Sequence, residues 1–258
     1  LGTHPDGTGI VRLGNAGTGT FNLGGSATLN TADNLIVGAD GTGQFTQTGG
    51  TVNVGAQIKL GEIAGTGTYD LQGGKVNVSS GWVEVGGEND SLGTGTFNIS
   101  GGTLNVPDST NGKIIIGRTG TGSVTQTGGR VNLGAEINLG GTASGNGTYN
   151  LQDGTLNLGG GSITVGDGTQ AFNFTGGRLE DVGLVGMSLT QDGGTLAPGG
   201  SAGTTAIDND YNLNAGALEI EIGAGHGVRL CRCIFVRREI QSGQSRNSEA
   251  CLHRYCRP

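Results

Sequence analysis

The chain has 258 residues, of which 57 are Gly, with 33% hydrophobic, 14% charged and 4% aromatic residues and a formal net charge of −7. Glycine lies far above the usual ~7% yet does not keep the every-third-position period of collagen, and at roughly 1 kcal/mol per helical site relative to Ala it excludes long helices. No stretch approaches the ~20 apolar residues that a membrane-spanning helix requires.

Taken in chain order, the sequence repeats. Gly7-Thr8-Gly9 reads as the end of a preceding copy, and the chain as a piece of a longer protein. New copies start near residues 17, 41, 65, 93, 120, 145, 171 and 187. Six of them open on G-T-G-T-F-N-L at Gly17, G-T-G-Q-F-T-Q at Gly41, G-T-G-T-Y-D-L at Gly65, G-T-G-T-F-N-I at Gly93, G-T-G-S-V-T-Q at Gly120 and G-N-G-T-Y-N-L at Gly145. Each opening segment carries one large residue: Phe21, Phe45, Tyr69, Phe97, Val124 and Tyr149, with Phe172 in a degenerate copy. A Gly pair follows, as at Gly49-Gly50 and Gly73-Gly74, and then an apolar–Asn–apolar segment such as Val52-Asn53-Val54 or Val76-Asn77-Val78. A third segment alternates again and ends on Gly, as in Ile58-Lys59-Leu60-Gly61 and Val83-Glu84-Val85-Gly86.

Alternation with period two marks strands with one buried face. Strands this short bury too little to stand alone, so the copies must stack. The pattern therefore predicts an all-β fold: a parallel β-solenoid of about eight coils with three short strands each. Its hand is expected to be that of a right-handed β-helix, as for nearly all parallel crossovers. The Phe and Tyr residues should form one internal stack, the aliphatics two more, and the Asn residues an outward row. Lys59, Glu84 and Arg130 should be outward charges that differ from coil to coil.

The pattern stops near Ala224. Residues 1–225 form the repeat domain, with no Cys and 7 Lys and Arg against 19 Asp and Glu, a net charge of −12. Residues 226–258 hold all four Cys, 7 Arg and 2 Glu, a net charge of +5, and read as a non-repeat tail that is disordered or translated out of frame.

The stretches F-T-Q-T-G-G-T-V-N-V from Phe45, T-F-N-I-S-G-G-T-L-N-V from Thr96 and G-G-T-L-A-P-G-G-S-A-G from Gly193 resemble the autotransporter-associated β-strand repeat of bacterial passenger regions. Tyr211 to Ile222 resembles the segment that often succeeds the L-A-P-G-G-S-A-G motif in that family. The resemblance, over about residues 7–223, implies a secreted, surface-displayed β-helix with no catalytic residues to transfer. It implies a non-enzymatic structural or adhesive segment outside the cell, associated with the outer membrane, whose partner is a host, matrix or glycan surface.

Other chemistries have candidate residues too. Cys231, Cys233, Cys251, His253 and Cys256 could supply tetrahedral zinc ligands, but their spacing forms no paired C-x-x-C. Asp40, Asp167, Asp208 and Asp210 could suggest calcium, but no tandem G-G-x-G-x-D nonapeptide exists. The Gly-rich corners lack the strand–loop–helix setting of a phosphate loop. The one His of the body is His4, and no Ser/His/Asp or Cys/His set can be assembled there, so no catalytic, cofactor or metal residue is assigned. A polysaccharide-binding or polysaccharide-degrading β-helix is the alternative. Thr18, Thr20, Thr42, Thr66, Thr68, Thr94, Thr96 and Thr121 form a rank that, if regular, suits ice; Gln44, Ser123 and the variable coil length count against it. The acidic body disfavours nucleic acid.

Overall fold

Each repeat copy closes one turn of a coil. In the copy that starts at Gly41, the strands are Thr42–Gln47, Thr51–Val54 and Ile58–Leu60; in the next they are Thr66–Leu71, Lys75–Val78 and Val83–Val85. Successive turns pair in parallel and in register: Phe45 with Tyr69, Val52 with Val76, and Leu60 with Val85. The computed structural model describes residues 9–88, 90–199 and 203–220, and the backbone of 223–225, 228–230 and 235–236. It is an all-β parallel solenoid of about eight turns, as the repeat predicts. His4 and the five tail residues with metal-ligating side chains lie outside the described residues.

The third strands build a 10-stranded ladder, while the first and second strands share a 14-stranded sheet that bends at the Gly pairs. Gly74 has φ +80°, a left-handed corner that a side chain would strain. Three strands per coil is the rule in the early turns, but at Thr121–Leu133 and Asn146–Asn157 the strand continues through the bend, with register shifts between Gln126 and Arg130, and the first two strands fuse. The opening G-T-G-T motif has a steric origin. Its middle Gly points inward where the third strand of the coil turns, and a Cβ on Gly67 would lie 1.9 Å from the Val37 carbonyl oxygen.

The core is narrow and continuous. Phe21, Phe45, Tyr69 and Phe97 stack with ring centroids 5.0, 4.6 and 5.0 Å apart. Val124 interrupts the column, which resumes with Tyr149 and Phe172 at 5.6 Å. Side chains of one coil thus bury those of the next, which is how a chain with 33% hydrophobic residues closes a core. On the outside of the second strands, Asn53 donates to Asn30, Asn77 to Asn53, Asn105 to Asn77 and Asn132 to Asn105, at 2.8–3.0 Å. Such amide ladders stabilise in-register stacks.

One inward column is not apolar. Two residues after the aromatic position, the register aligns Leu23, Gln47, Leu71, Ile99, Gln126 and Leu151. Gln47, Gln126 and Gln191 are each 0% exposed. Every one is satisfied by the following coil: Tyr69, Tyr149 and Tyr211 donate to their Oε1 atoms at 2.6, 2.7 and 2.7 Å. Their Nε2 atoms donate to the carbonyls of Lys75, Thr155 and Ala217 at 3.0–3.1 Å. The coils therefore run in groups of three, a Phe coil, a Gln coil and a Tyr coil, a longer period inside the short one. Burial pushes the phenols of Tyr69 and Tyr149 above their ordinary range, so they stay neutral donors.

Beyond the repeats, one backbone segment adds to the solenoid and two others pair with each other in a separate two-stranded sheet. Gly223–Gly225 and Val228–Leu230 pair antiparallel, and Phe235–Val236 adds in parallel to Ala206–Ile207. The sequence pattern does not anticipate this backbone pairing beyond Ala224.

Candidate functional site

A stack whose inside is packed can act only through its outward faces. On the third-strand face, the register places Ile36, Lys59, Glu84, Ile115 and Asn138 in one row. Lys59 and Glu84 point away from the core, as expected, but they are not solvent-facing. Lys59 is 8% and Glu84 2% exposed. Over Lys59 the long connection after Val85 carries Glu88 back onto the row, and Thr119 of the next coil holds that connection by donating to the Ser91 carbonyl at 2.6 Å, while Trp82 and Arg118 flank Glu84. Three more residues in this connection than in the one after Leu60, invisible as structure in the sequence, thus become a cover.

Under that cover Lys59 bonds Glu62 Oε1 at 3.0 Å and also pairs with Glu88. Burial pulls the Lys59 ammonium pKa down, but the two carboxylates outweigh it and the net direction is up. Glu84 Oε2 accepts from Trp82 Nε1 at 3.1 Å. Arg118 Nε lies 2.7 Å from Glu84 Oε1, although neither atom meets directional hydrogen-bond geometry, so this contact is mainly Coulombic. The Lys113 ammonium and the Arg118 guanidinium lie 5.9 and 6.0 Å from the Trp82 ring centroid, within cation–π range. Lys113 also pairs with Glu136 at 3.5 Å.

Burial raises the Glu84 pKa above its ordinary 4.5, with Trp82 and Arg118 opposing. A carboxyl whose folded pKa is raised contributes most below its unfolded value, and that contribution is lost as pH rises through the folded one. Glu84→Gln keeps an acceptor for Trp82 and removes the titration. Its unfolding free energy relative to the native chain should therefore rise between pH 4.5 and 7.5. Urea unfolding at both values checks the sign; a difference that stays flat or falls would contradict it.

On the second-strand face, Arg130 donates from Nε to Asn132 at 2.8 Å and pairs through Nη2 with Glu180 at 2.6 Å. Arg178 and Asn157 converge on the same carboxylate. Burial would raise the Glu180 pKa, but these donors together hold it below its ordinary value. The three charges singled out in the sequence thus serve two separate clusters, Lys59 and Glu84 on one face and Arg130 on another. The structure does not gather Asp40, Asp167, Asp208 and Asp210, and among the described residues no group of three or more His, Cys, Asp or Glu is placed to hold a metal ion.

The first-strand face differs from both. Thr18, Thr42, Thr66, Thr94 and Thr121 stand directly above one another, all exposed. The coil-length variation that counts against this rank is absorbed in the connections between strands, chiefly residues 86–93 and 107–113, and leaves the register of the first strands intact. Sequence reasoning overstated that objection because interval lengths do not say where extra residues go.

The chain matches no family model, no curated protein and no solved structure. Its faces must be read from their own chemistry.

Trp82 and the buried glutamines escaped the sequence reading. Trp82 is the only Trp in the chain and sits just before a third strand, a position with no repeat signature. The glutamines had a signal: in F-T-Q, alternation puts Gln on the side of Phe.

Proposed function

We propose that this chain is a non-enzymatic structural and adhesive segment of a secreted bacterial surface protein, a stiff stalk of the autotransporter-passenger kind. The observation that carries the reading is the unbroken register. The first strands of successive coils pair residue for residue from Thr18 through Leu151, so that no coil can leave without exposing the core of its neighbours. At ~4.8 Å per coil, about eight coils make a rod roughly 40 Å long, and longer versions lengthen simply by adding copies. The resemblance in the repeat motifs supports display outside the cell, where a Cys-free acidic body is at home.

Force spectroscopy tests the mechanical part. Pulled from its ends, the repeat body should hold as one unit and then shed length in steps of whole coils. Smooth extension with no force plateau, as from an unstructured chain, would overturn it.

One observation favours the polysaccharide alternative: Trp82 beside Glu84, Arg118 and Lys113 combines an aromatic ring with acidic and basic groups at one place. Incubation with anionic and neutral polysaccharides separates the readings. Release of new chain ends that Glu84→Gln abolishes would make the protein an enzyme, and the stalk reading predicts none.

A further inference from the structure

The outward positions of the first strands form three parallel rows across seven coils, from Thr18–Leu23 to Thr169–Phe174. Of these positions only Asp70 is charged. The other two faces carry Lys75, Arg130, Arg178 and Glu180, or Lys59, Glu84 and their partners. An acidic body thus keeps one face nearly neutral. That face is also regular, because every strand in it pairs in parallel with no register shift between Thr18 and Gln126.

The hydroxyls of its first row are unused, while in the third row Thr125 accepts from Asn150 at 3.3 Å. Thr18, Thr42, Thr66, Thr94 and Thr121 make no side-chain hydrogen bond to any described residue. Each hydroxyl offers one donor and two acceptor sites, with a methyl group beside it. Neighbouring rows are two residues apart along the strand. Where Thr fills both of the first two rows, as at Thr66 with Thr68 and Thr94 with Thr96, the hydroxyls repeat at ~4.8 Å across the strands and at roughly 6.7 Å along them; Gln44 is the one long side chain in the second row and reaches away from it to Asp70 in the third. Both spacings lie close to the oxygen repeats of the prism faces of hexagonal ice. The aromatic side chains point inward, so the face lacks the exposed rings on which sugars stack, and a flexible glycan would have no use for order in two dimensions.

We propose that this threonine face binds ice, each rank of hydroxyls holding a row of ordered water that merges with the crystal lattice. The inference goes beyond the stalk reading: a stack that ignores ice would still be a stalk, and an ice-binding stack need not be mechanical.

The test uses the full chain in an ice-recrystallisation assay, with crystal shape followed near the melting point. The native chain should keep grains small and facet single crystals. Thr66→Lys with Thr94→Lys places two charges at the centre of the face and should raise the concentration needed at least tenfold. The control, Gln72→Lys with Ser100→Lys, adds the same charge to the same coils at exposed positions off the ranks and should act like the native chain. Circular dichroism verifies that all three fold alike. Grain growth indistinguishable from that in an inert protein would overturn the proposal. So would equal potency of the two double variants, or adsorption to microcrystalline cellulose or chitin without any effect on ice. If Thr66→Lys with Thr94→Lys fails to fold, Thr66→Val with Thr94→Val keeps shape and methyl groups while deleting both hydroxyls, and undiminished activity there would overturn it equally.

Discussion

Tyr69→Ala is expected to lower the unfolding free energy by about 3–5 kcal/mol, the usual cost of deleting a buried aromatic side chain. Tyr69 is 0% exposed and lies between Phe45 and Phe97, with centroids 4.6 and 5.0 Å away. The cavity cannot close from within one coil, because the neighbouring rings are held by their own backbone ladders. The loss should exceed that of Phe21→Ala, since Phe21 is only partly buried at the start of the described stack. Chemical unfolding followed by circular dichroism measures both. Equal, small losses would mean that the aromatic column is not core.

The second large effect concerns the pairing of unlike coils. Tyr69→Phe leaves the ring in place and removes the donor to Gln47, and Gln47→Leu removes the acceptor for Tyr69. Each should cost about 1–3 kcal/mol, the penalty for a buried polar atom left without a partner. The double variant Gln47→Leu with Tyr69→Phe leaves neither group orphaned at that bond and should lose much less than the sum of the single losses. The double-mutant cycle reads this coupling directly. Strict additivity would show that the 2.6 Å contact does not contribute. The same cycle at Gln126 and Tyr149 should give the same sign, because burial and geometry repeat there. Buried polar pairs are best attested as devices that fix register. Here they distinguish Gln coils from the rest, so a Tyr coil stacked one turn out of place would strand a phenol and an amide.

Most of the fold was legible because a solenoid writes each structural column as a sequence column. Alternation in Thr51–Val54 or Lys75–Val78 gives the strand and its buried side at once, and the Asn row follows from parity. The third strands were harder. Ile58-Lys59-Leu60 alternates in sequence, yet all three residues are buried, because a connection from the following coil folds over the outward one. Periodicity reports which side of a strand faces the core. It does not report what lies on the other side. The Gln–Tyr pairing was present in the letters, since Gln47, Gln126 and Gln191 are each followed by a Tyr about one coil later. Its meaning required the 0% exposure of both partners at Tyr69 and Tyr149. The threonine face was visible as a motif but not as a surface, because only the register shows that unequal coils keep their Thr residues aligned.

The central claim is that successive repeat copies stand one coil apart along a straight stack. Spin-label pairs test it most directly, with Cys placed at Thr18 and at Thr121, Asn146 or Thr169 after replacing the four native Cys. These positions lie four, five and six ladder steps apart. Their backbone separations should be about 19, 24 and 29 Å at ~4.8 Å per step. Pulsed dipolar spectroscopy should therefore give three narrow distributions that lengthen by one coil spacing each time. Broad distributions, or distances that do not grow in equal steps, would contradict the stack.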